Sequence, residues 1–185
     1  SQNNIWAVNH LYDGLVALDD SLRVVPSIAK SWDITDNGKT YTFHLKTKIP
    51  FHRNACFGED STRYVIADDF KFSFSRILSK ELNSPGSWIF SGIIGSDSSF
   101  QVINDSTFQV QLLKPFIPFL GLLTMEYCSV IPHEAIDYYG NQFRSHPVGT
   151  GPFKFKRWIE SQGLFLLKNE YYHSHHPLTT LDGIR

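Results

Sequence analysis

Ser31–Leu45 reads SWDITDNGKTYTFHL, with apolar and polar residues alternating on both sides of Asp36-Asn37-Gly38-Lys39. Alternation with period two is the signature of a half-buried strand, and Asn-Gly supplies the positive φ that a tight hairpin turn demands. The stretch therefore predicts a β-hairpin with Trp32, Ile34, Tyr41, Phe43 and Leu45 on one face. Phe100–Leu112, FQVINDSTFQVQL, repeats the pattern around Asn104-Asp105-Ser106. Phe153–Asn169, FKFKRWIESQGLFLLKN, gives a third hairpin turning at Ser161-Gln162-Gly163.

Helical spacing fills the gaps between the hairpins. Ile5, Val8, Leu11, Tyr12 and Leu15 predict a helix near the start, with Gly14 as its stop. In Ala67–Leu78, ADDFKFSFSRIL, the stripe Phe70, Phe74, Ile77, Leu78 marks a second helix. Asp68 and Asp69 lie in its first turn, where carboxylates suit the helix dipole. Pro115–Met125, PFIPFLGLLTM, reads as a short buried helix, and Tyr127–Ile131 as a strand. Pro132–Gly140, PHEAIDYYG, reads as a helix with Pro132 near its start. FHRNACFGEDSTRY (51–64) and ELNSPGSW (81–88) are turn-rich loops. Hairpins mixed irregularly with helices indicate an α+β fold rather than repeated βαβ units. Trp32, Tyr41, Phe43, Phe70 and Phe74 are assigned to the core.

The chain has 185 residues, 42% hydrophobic and 15% aromatic, with a net charge of −1. Seventeen basic and 18 acidic residues are spread without long runs. That excludes a strongly basic nucleic-acid surface, whose affinity comes mainly from neutralised phosphates. The surplus of rings suits both a core and a ligand-facing wall. The longest apolar stretch is too short to span a bilayer. No secretory leader opens the chain, which starts inside an element and is expected to be an excised segment. Cys56 and Cys128 lack metal-ligand spacing; one disulfide or two free thiols both fit.

Motifs for chemistry are few. His146–Trp158, HPVGTGPFKFKRW, carries Gly149 and Gly151 but no third glycine. It leads into a strand rather than a helix, and Pro152 removes a backbone donor, so a phosphate cradle is not expected there. His173, His175 and His176 sit in a polar turn without evident carboxylate partners, and read as surface loop rather than metal site. His44 and His52 read as structural. Neither a nucleophile elbow nor a catalytic cysteine context is present. No cofactor, metal or catalytic residue is expected.

LYDGL (Leu11–Leu15), PSIAKSW (Pro26–Trp32), DNGKTYTFHL (Asp36–Leu45), ADDFKFSF (Ala67–Phe74), PVGTGPF (Pro147–Phe153) and NEYY (Asn169–Tyr172) occur in this order. Together they resemble the family 5 extracellular solute-binding proteins, the dipeptide, oligopeptide and nickel receptors of ABC importers. The sequence departs from that pattern in its longer loop after Phe51-His52. It also departs at Ile66, which stands where the family often has a capping Thr. The resemblance implies a two-lobed receptor, periplasmic or on the outer face of the cytoplasmic membrane, free or lipid-anchored. Such a receptor closes on a short peptide or other small solute, then docks on its permease. Residues 1–45 and 146–185 would belong to the first lobe and 46–145 to its extra subdomain. The second lobe would be absent from this chain. Gly149 and Gly151 then match a structural turn. The resemblance points to Ser87 and Trp88, and then to Met125, Glu126 and Tyr127, as ligand-facing residues. The alternatives are a nickel or other solute cargo, or the sensing domain of a cytoplasmic transcription regulator. A disulfide would favour export and free thiols the cytoplasm.

Overall fold

The computed structural model describes residues 2–59, 61–159, 163–173 and 182–184. Ser161, Gln162, His175 and His176 lie outside these. Helix α1 is Gln2–Leu11, followed by strands β1 (Val16–Leu18), β2 (Val24–Pro26), β3 (Ala29–Thr35) and β4 (Thr40–Leu45). Helix α2 (Ala67–Leu78), strands β5 (Phe100–Asn104) and β6 (Thr107–Gln111), and helices α3 (Phe119–Leu122) and α4 (His133–Tyr139) come next. Strands β7 (Phe153–Ile159), β8 (Gly163–Lys168) and β9 (Gly183–Ile184) complete the order. The mixture is the α+β class expected from the sequence. The chain divides into two compact units, and these do not break at residues 45 and 146. One unit gathers Ser1–Asp13, Lys48–Val65 and Ile131–Arg185; the other gathers Gly14–Thr47 and Ile66–Val130.

The second unit is built on a four-stranded antiparallel sheet in the order β3-β4-β6-β5. The first hairpin forms as expected, pairing Trp32 with Phe43 and Ile34 with Tyr41. Its turn is a tight helical one in which Asp36, Asn37 and Gly38 all have positive φ, the conformation that Asn-Gly favours. Tyr41, Phe43 and Leu45 are fully buried, whereas Trp32 is half-buried and Ile34 is 48% exposed. The cause is position: β3 is an edge strand, so period two gives it a face but not a full cover.

Helix α2 packs its Phe70, Phe74 and Ile77 stripe on β5 and β6, whose Phe100 and Phe108 are buried. Phe74 meets Phe90, Phe100 and Phe108 with ring centroids 5.3–5.6 Å apart at tilted or edge-on angles. Each fully buried ring contributes about 1.5–3 kcal/mol from area alone. Ile66 has no side-chain acceptor, and Asp69 takes over the cap by accepting the Ile66 N–H at 2.9 Å. The Asp105 carbonyl accepts the Ala67 N–H at 2.8 Å, so the β5–β6 turn closes the helix start.

One expectation fails in this unit and another holds in part. Tyr127–Ile131 is not a strand: Glu126–Cys128 is a single helical turn. Its tight bonds, Cys128 N–H to Met125 O and Ser129 N–H to Glu126 O, outcompete the β propensity of a five-residue run. Pro115–Met125 forms only the four-residue α3. Phe119 and Leu123 are buried, but Ile117 is 95% exposed between two prolines that hold the chain open.

The first unit joins α1 to the antiparallel sheet β7-β8-β9, with Leu11, Phe153 and Leu166 at its core. Helix α1 stops at Leu11, three residues before Gly14, because the Leu11 carbonyl receives the Gly151 N–H at 3.0 Å. Gly14 instead sits tightly against carbonyls of Leu123 and Cys128 in the second unit. The long loop after Phe51 is pinned by Arg63. Its guanidinium bonds both Glu134 oxygens, at 2.5 and 2.7 Å, and lies over the Phe51 and Phe57 rings.

Candidate functional site

The residues singled out for ligand contact all fall in the second unit, on two turns. Ser84–Ile89 is a chain of tight turns in which the Ser84 carbonyl accepts the Ser87 N–H at 3.0 Å and Gly86 O accepts the Ile89 N–H. Ile89 points inward and is fully buried, which rotates Ser87 and Trp88 outward; Trp88 is 52% exposed. On the other turn, Cys128 is anchored inside, its Sγ facing the Leu122 carbonyl at 3.7 Å. Met125, Glu126 and Tyr127 ride on that anchor and remain half-buried. Burial pushes the Cys128 thiol up to about 12, so it is a packing group rather than a nucleophile.

The two turns meet at Gly86. A Cβ built on Gly86 would lie 2.6 Å from Tyr127 Cγ and 2.8 Å from its Cβ and Cδ1. The turns that carry Ser87–Trp88 and Met125–Tyr127, to which the resemblance pointed separately, thus touch and form one ledge. They carry an exposed indole and half-buried phenol, thioether and carboxylate groups. Such a surface can stack on apolar or aromatic groups, and Glu126 can hold a cationic one. It has no paired base and nucleophile.

The first unit carries a polar knot around the glycine turn. Gly149 and Gly151 have ordinary backbone angles, and their lack of a side chain answers to space. A Cβ would lie 2.0 Å from the Leu11 oxygen in one case and 2.5 Å from the Leu11 carbonyl carbon in the other. His52 clamps this turn from the other side. Its Nε2–H donates to the Gly151 carbonyl at 3.0 Å, and its Nδ1 accepts the Gly149 N–H at 3.4 Å. Acceptance at Nδ1 fixes the neutral Nε2–H tautomer. Burial then holds the imidazole down at about 4, despite the Gly151 bond and the Asp13 charge. Asn169 adds an Nδ2–H bond to the same carbonyl at 2.9 Å. Asp13 accepts from the Thr150 and Tyr172 hydroxyls and from His173 Nε2, at 2.9–3.1 Å. Tyr12 is half-buried beside Val148, and desolvation raises its phenol well above the usual range. The turn is therefore structural, as read from the missing third glycine. His52 is structural, as read from sequence, but nothing in the sequence paired it with Gly149, because only the fold brings the two together.

A groove of about 690 Å³ also opens in the first unit, between α1 (Val8, Leu11, Tyr12) and the β7–β8 hairpin (Phe155, Trp158, Leu164). Arg144 stands at its edge. No sequence pattern marked it, since its walls are ordinary strand and helix residues. Both cysteines are free thiols. Among the described residues no three His, Cys, Asp or Glu side chains gather as a metal would need, and no helix is long and apolar enough to cross a membrane.

Comparison with known proteins agrees along the chain. The family model described as bacterial extracellular solute-binding proteins, family 5 Middle, matches residues 23–185. The peptide transport periplasmic protein SapA of Salmonella typhimurium is 32% identical over 181 residues, covering 91% of this chain and 33% of its own. The structure of the ABC transporter-associated periplasmic binding protein DppA from Helicobacter pylori, in complex with the peptide STSA, superposes with TM-score 0.79 at 33% identity. It covers 94% of this chain and 36% of that one. NikZ from Campylobacter jejuni, in complex with Ni(L-His), gives TM-score 0.75 at 27% identity, covering 89% and 31%. The chain spans about a third of the length of these relatives.

Proposed function

The chain belongs to the family 5 bacterial extracellular solute-binding proteins, and from that premise we propose that the whole protein is the receptor of an ABC importer that captures short peptides. Two lobes close about a hinge when ligand bridges them, because the bridged contacts exist only in the closed state. In this reading residues 1–45 and 146–185 belong to the first lobe and 46–145 to its extra subdomain, a division that differs from that of the two compact units, and the remainder of the parent supplies the second lobe. Ser87, Trp88, Met125, Glu126 and Tyr127 form one wall of the cleft. The receptor works outside the cytoplasmic membrane, in the periplasm or anchored to its outer face, and delivers to a permease. It performs no catalysis and needs no cofactor.

The observation that carries the proposal is the ledge itself: two separate turns, locked together at Gly86, hold an exposed Trp and a half-exposed Tyr outward. Rings of this kind accept many side chains while backbone hydrogen bonds and water supply the rest of the affinity. The NikZ likeness favours one second reading, a metal chelate or other small solute as cargo. The transcription-regulator alternative has no counterpart among the relatives named above. Native mass spectrometry of the gently purified full-length protein tests the proposal. A ladder of short-peptide masses is expected; a single small solute or metal adduct would replace the cargo. A protein that stays empty after short peptides and nickel–histidine are added overturns the receptor reading.

A further inference from the structure

Gly86 owes its place to a neighbouring side chain and not to its own backbone. Its φ of −87° and ψ of −1° are open to any residue. What excludes a side chain is Tyr127, whose Cγ, Cβ and Cδ1 would all fall within 2.8 Å of an added Cβ. Two of these atoms, Cβ and Cγ, are at the root of the side chain, so rotating the phenol cannot relieve the clash. Either the Tyr127 rotamer or the turn that carries it must move. The Tyr127 turn is in turn fixed from inside by buried Cys128, and the Gly86 turn by buried Ile89. The ring thus rests on a bare patch of backbone between two anchored turns.

We infer that Gly86 is a positioning residue. It seats the Tyr127 ring so that Tyr127 and Trp88 together form a preset platform for an apolar or aromatic side chain of the bound peptide. This rests on the reading of Tyr127 as a cleft residue. A ring held before the ligand arrives loses little rotamer freedom on binding, which is why preset aromatics favour affinity. Glu126, next along the same turn, extends the platform towards peptides carrying a cationic group beyond the apolar one.

A double-mutant cycle on the full-length receptor tests the inference, using short synthetic peptides with a central Phe, Leu or Gly and isothermal titration. Gly86→Ala is expected to weaken Phe and Leu peptides about tenfold and the Gly peptide about twofold or less. Tyr127→Ala should do the same. In the Tyr127→Ala background, adding Gly86→Ala should change affinity by less than about twofold, since no ring remains to be displaced. A Gly86→Ala effect of equal size in both backgrounds, or equal across the three peptides, overturns the inference. Should Gly86→Ala fail to fold, the double variant is expected to fold, and its failure would also overturn it. If Tyr127→Ala and Trp88→Ala both bind like the parent, the cleft reading is what has failed. Positioning is then read alone, from the fluorine resonance of 3-fluorotyrosine at 127. That signal is expected to shift or broaden in Gly86→Ala, and an unchanged signal refutes positioning.

Discussion

His52 gives the sharpest test of the physical account. Its imidazole is buried, donates to Gly151 O through Nε2–H and accepts the Gly149 N–H at Nδ1. Protonating Nδ1 would set two N–H groups against each other inside the turn. The folded protein holds this histidine at about 4, against 6.5 for the free side chain. Burial is the main cause and Lys154 adds to it; Asp13 and the Gly151 bond oppose it without cancelling it. Because the folded value lies below the unfolded one, the unfolded state binds the extra proton. The stabilisation is fully present above about 6.5 and is lost as pH falls towards 4. A difference of about 2.5 units corresponds to about 3.4 kcal/mol once pH is below 4, and to about 2 kcal/mol at pH 5. That is a large share of a domain's stability.

The assay is urea unfolding at a series of pH values between 7 and 4, followed by Trp fluorescence. Trp32 and Trp88 are replaced by Phe so that the rings of the first unit report. His52→Gln keeps an N–H donor for Gly151 O but cannot be protonated. The variant is less stable at pH 7, and its stability falls less steeply between pH 6.5 and 4.5, by about 1 kcal/mol per unit on average. Carboxylates also titrate in this range, so the difference between the two slopes is the readout. Equal slopes, or a His52 proton resonance titrating near 6.5, would refute the argument.

Other expectations follow from the same contacts. Gly151→Ala drives a Cβ to 2.5 Å from the Leu11 carbonyl carbon, with only backbone to give way. It should destabilise the first unit by about 2–3 kcal/mol in chemical denaturation. Phe74→Ala, at the centre of the Phe70, Phe90, Phe100 and Phe108 cluster, should cost about 3–5 kcal/mol in the second unit. The groove beside Trp158 should bind anilinonaphthalene sulfonate in the 185-residue chain, with Arg144 near the sulfonate. Trp158→Ala should lower the dye fluorescence by about half or more, and an unchanged signal would remove the groove as the site.

The elements that the sequence made legible are those whose signal is local. Asn37-Gly38 needed only its positive φ, and the Phe70–Phe74–Ile77 stripe only the helical period, to be placed correctly. What misled was mostly decided by neighbours far along the chain. Ile34 alternates like a core residue but lies on an edge strand. Tyr127-Cys128-Ser129 is the local exception, a run that looks extended although bonds back to Met125 and Glu126 close a turn. The end of α1 looked like the work of Gly14, yet it is set by the Gly151 N–H, some 140 residues later.

The glycines carry this distinction to the site. Gly38 and Gly86 look alike in sequence, each beside a polar residue in a turn. One is there because φ is +86°, and the other because a tyrosine root occupies the place of its Cβ. The first reason is written in the adjoining Asn; the second is written 41 residues away, in Tyr127. Gly149 and Gly151 belong to the second kind as well, which is why their spacing imitates a phosphate loop without being one. A phosphate loop turns backbone N–H groups outward to an anion. Here the Gly149 N–H is given to His52 and the Gly151 N–H to Leu11, so the turn has no donors left to offer from either glycine. Gly149 thus makes room for the Leu11 carbonyl and the half-buried Tyr12 ring, and Gly86 for the root of the half-buried Tyr127, so in each case the glycine is explained by what packs on it.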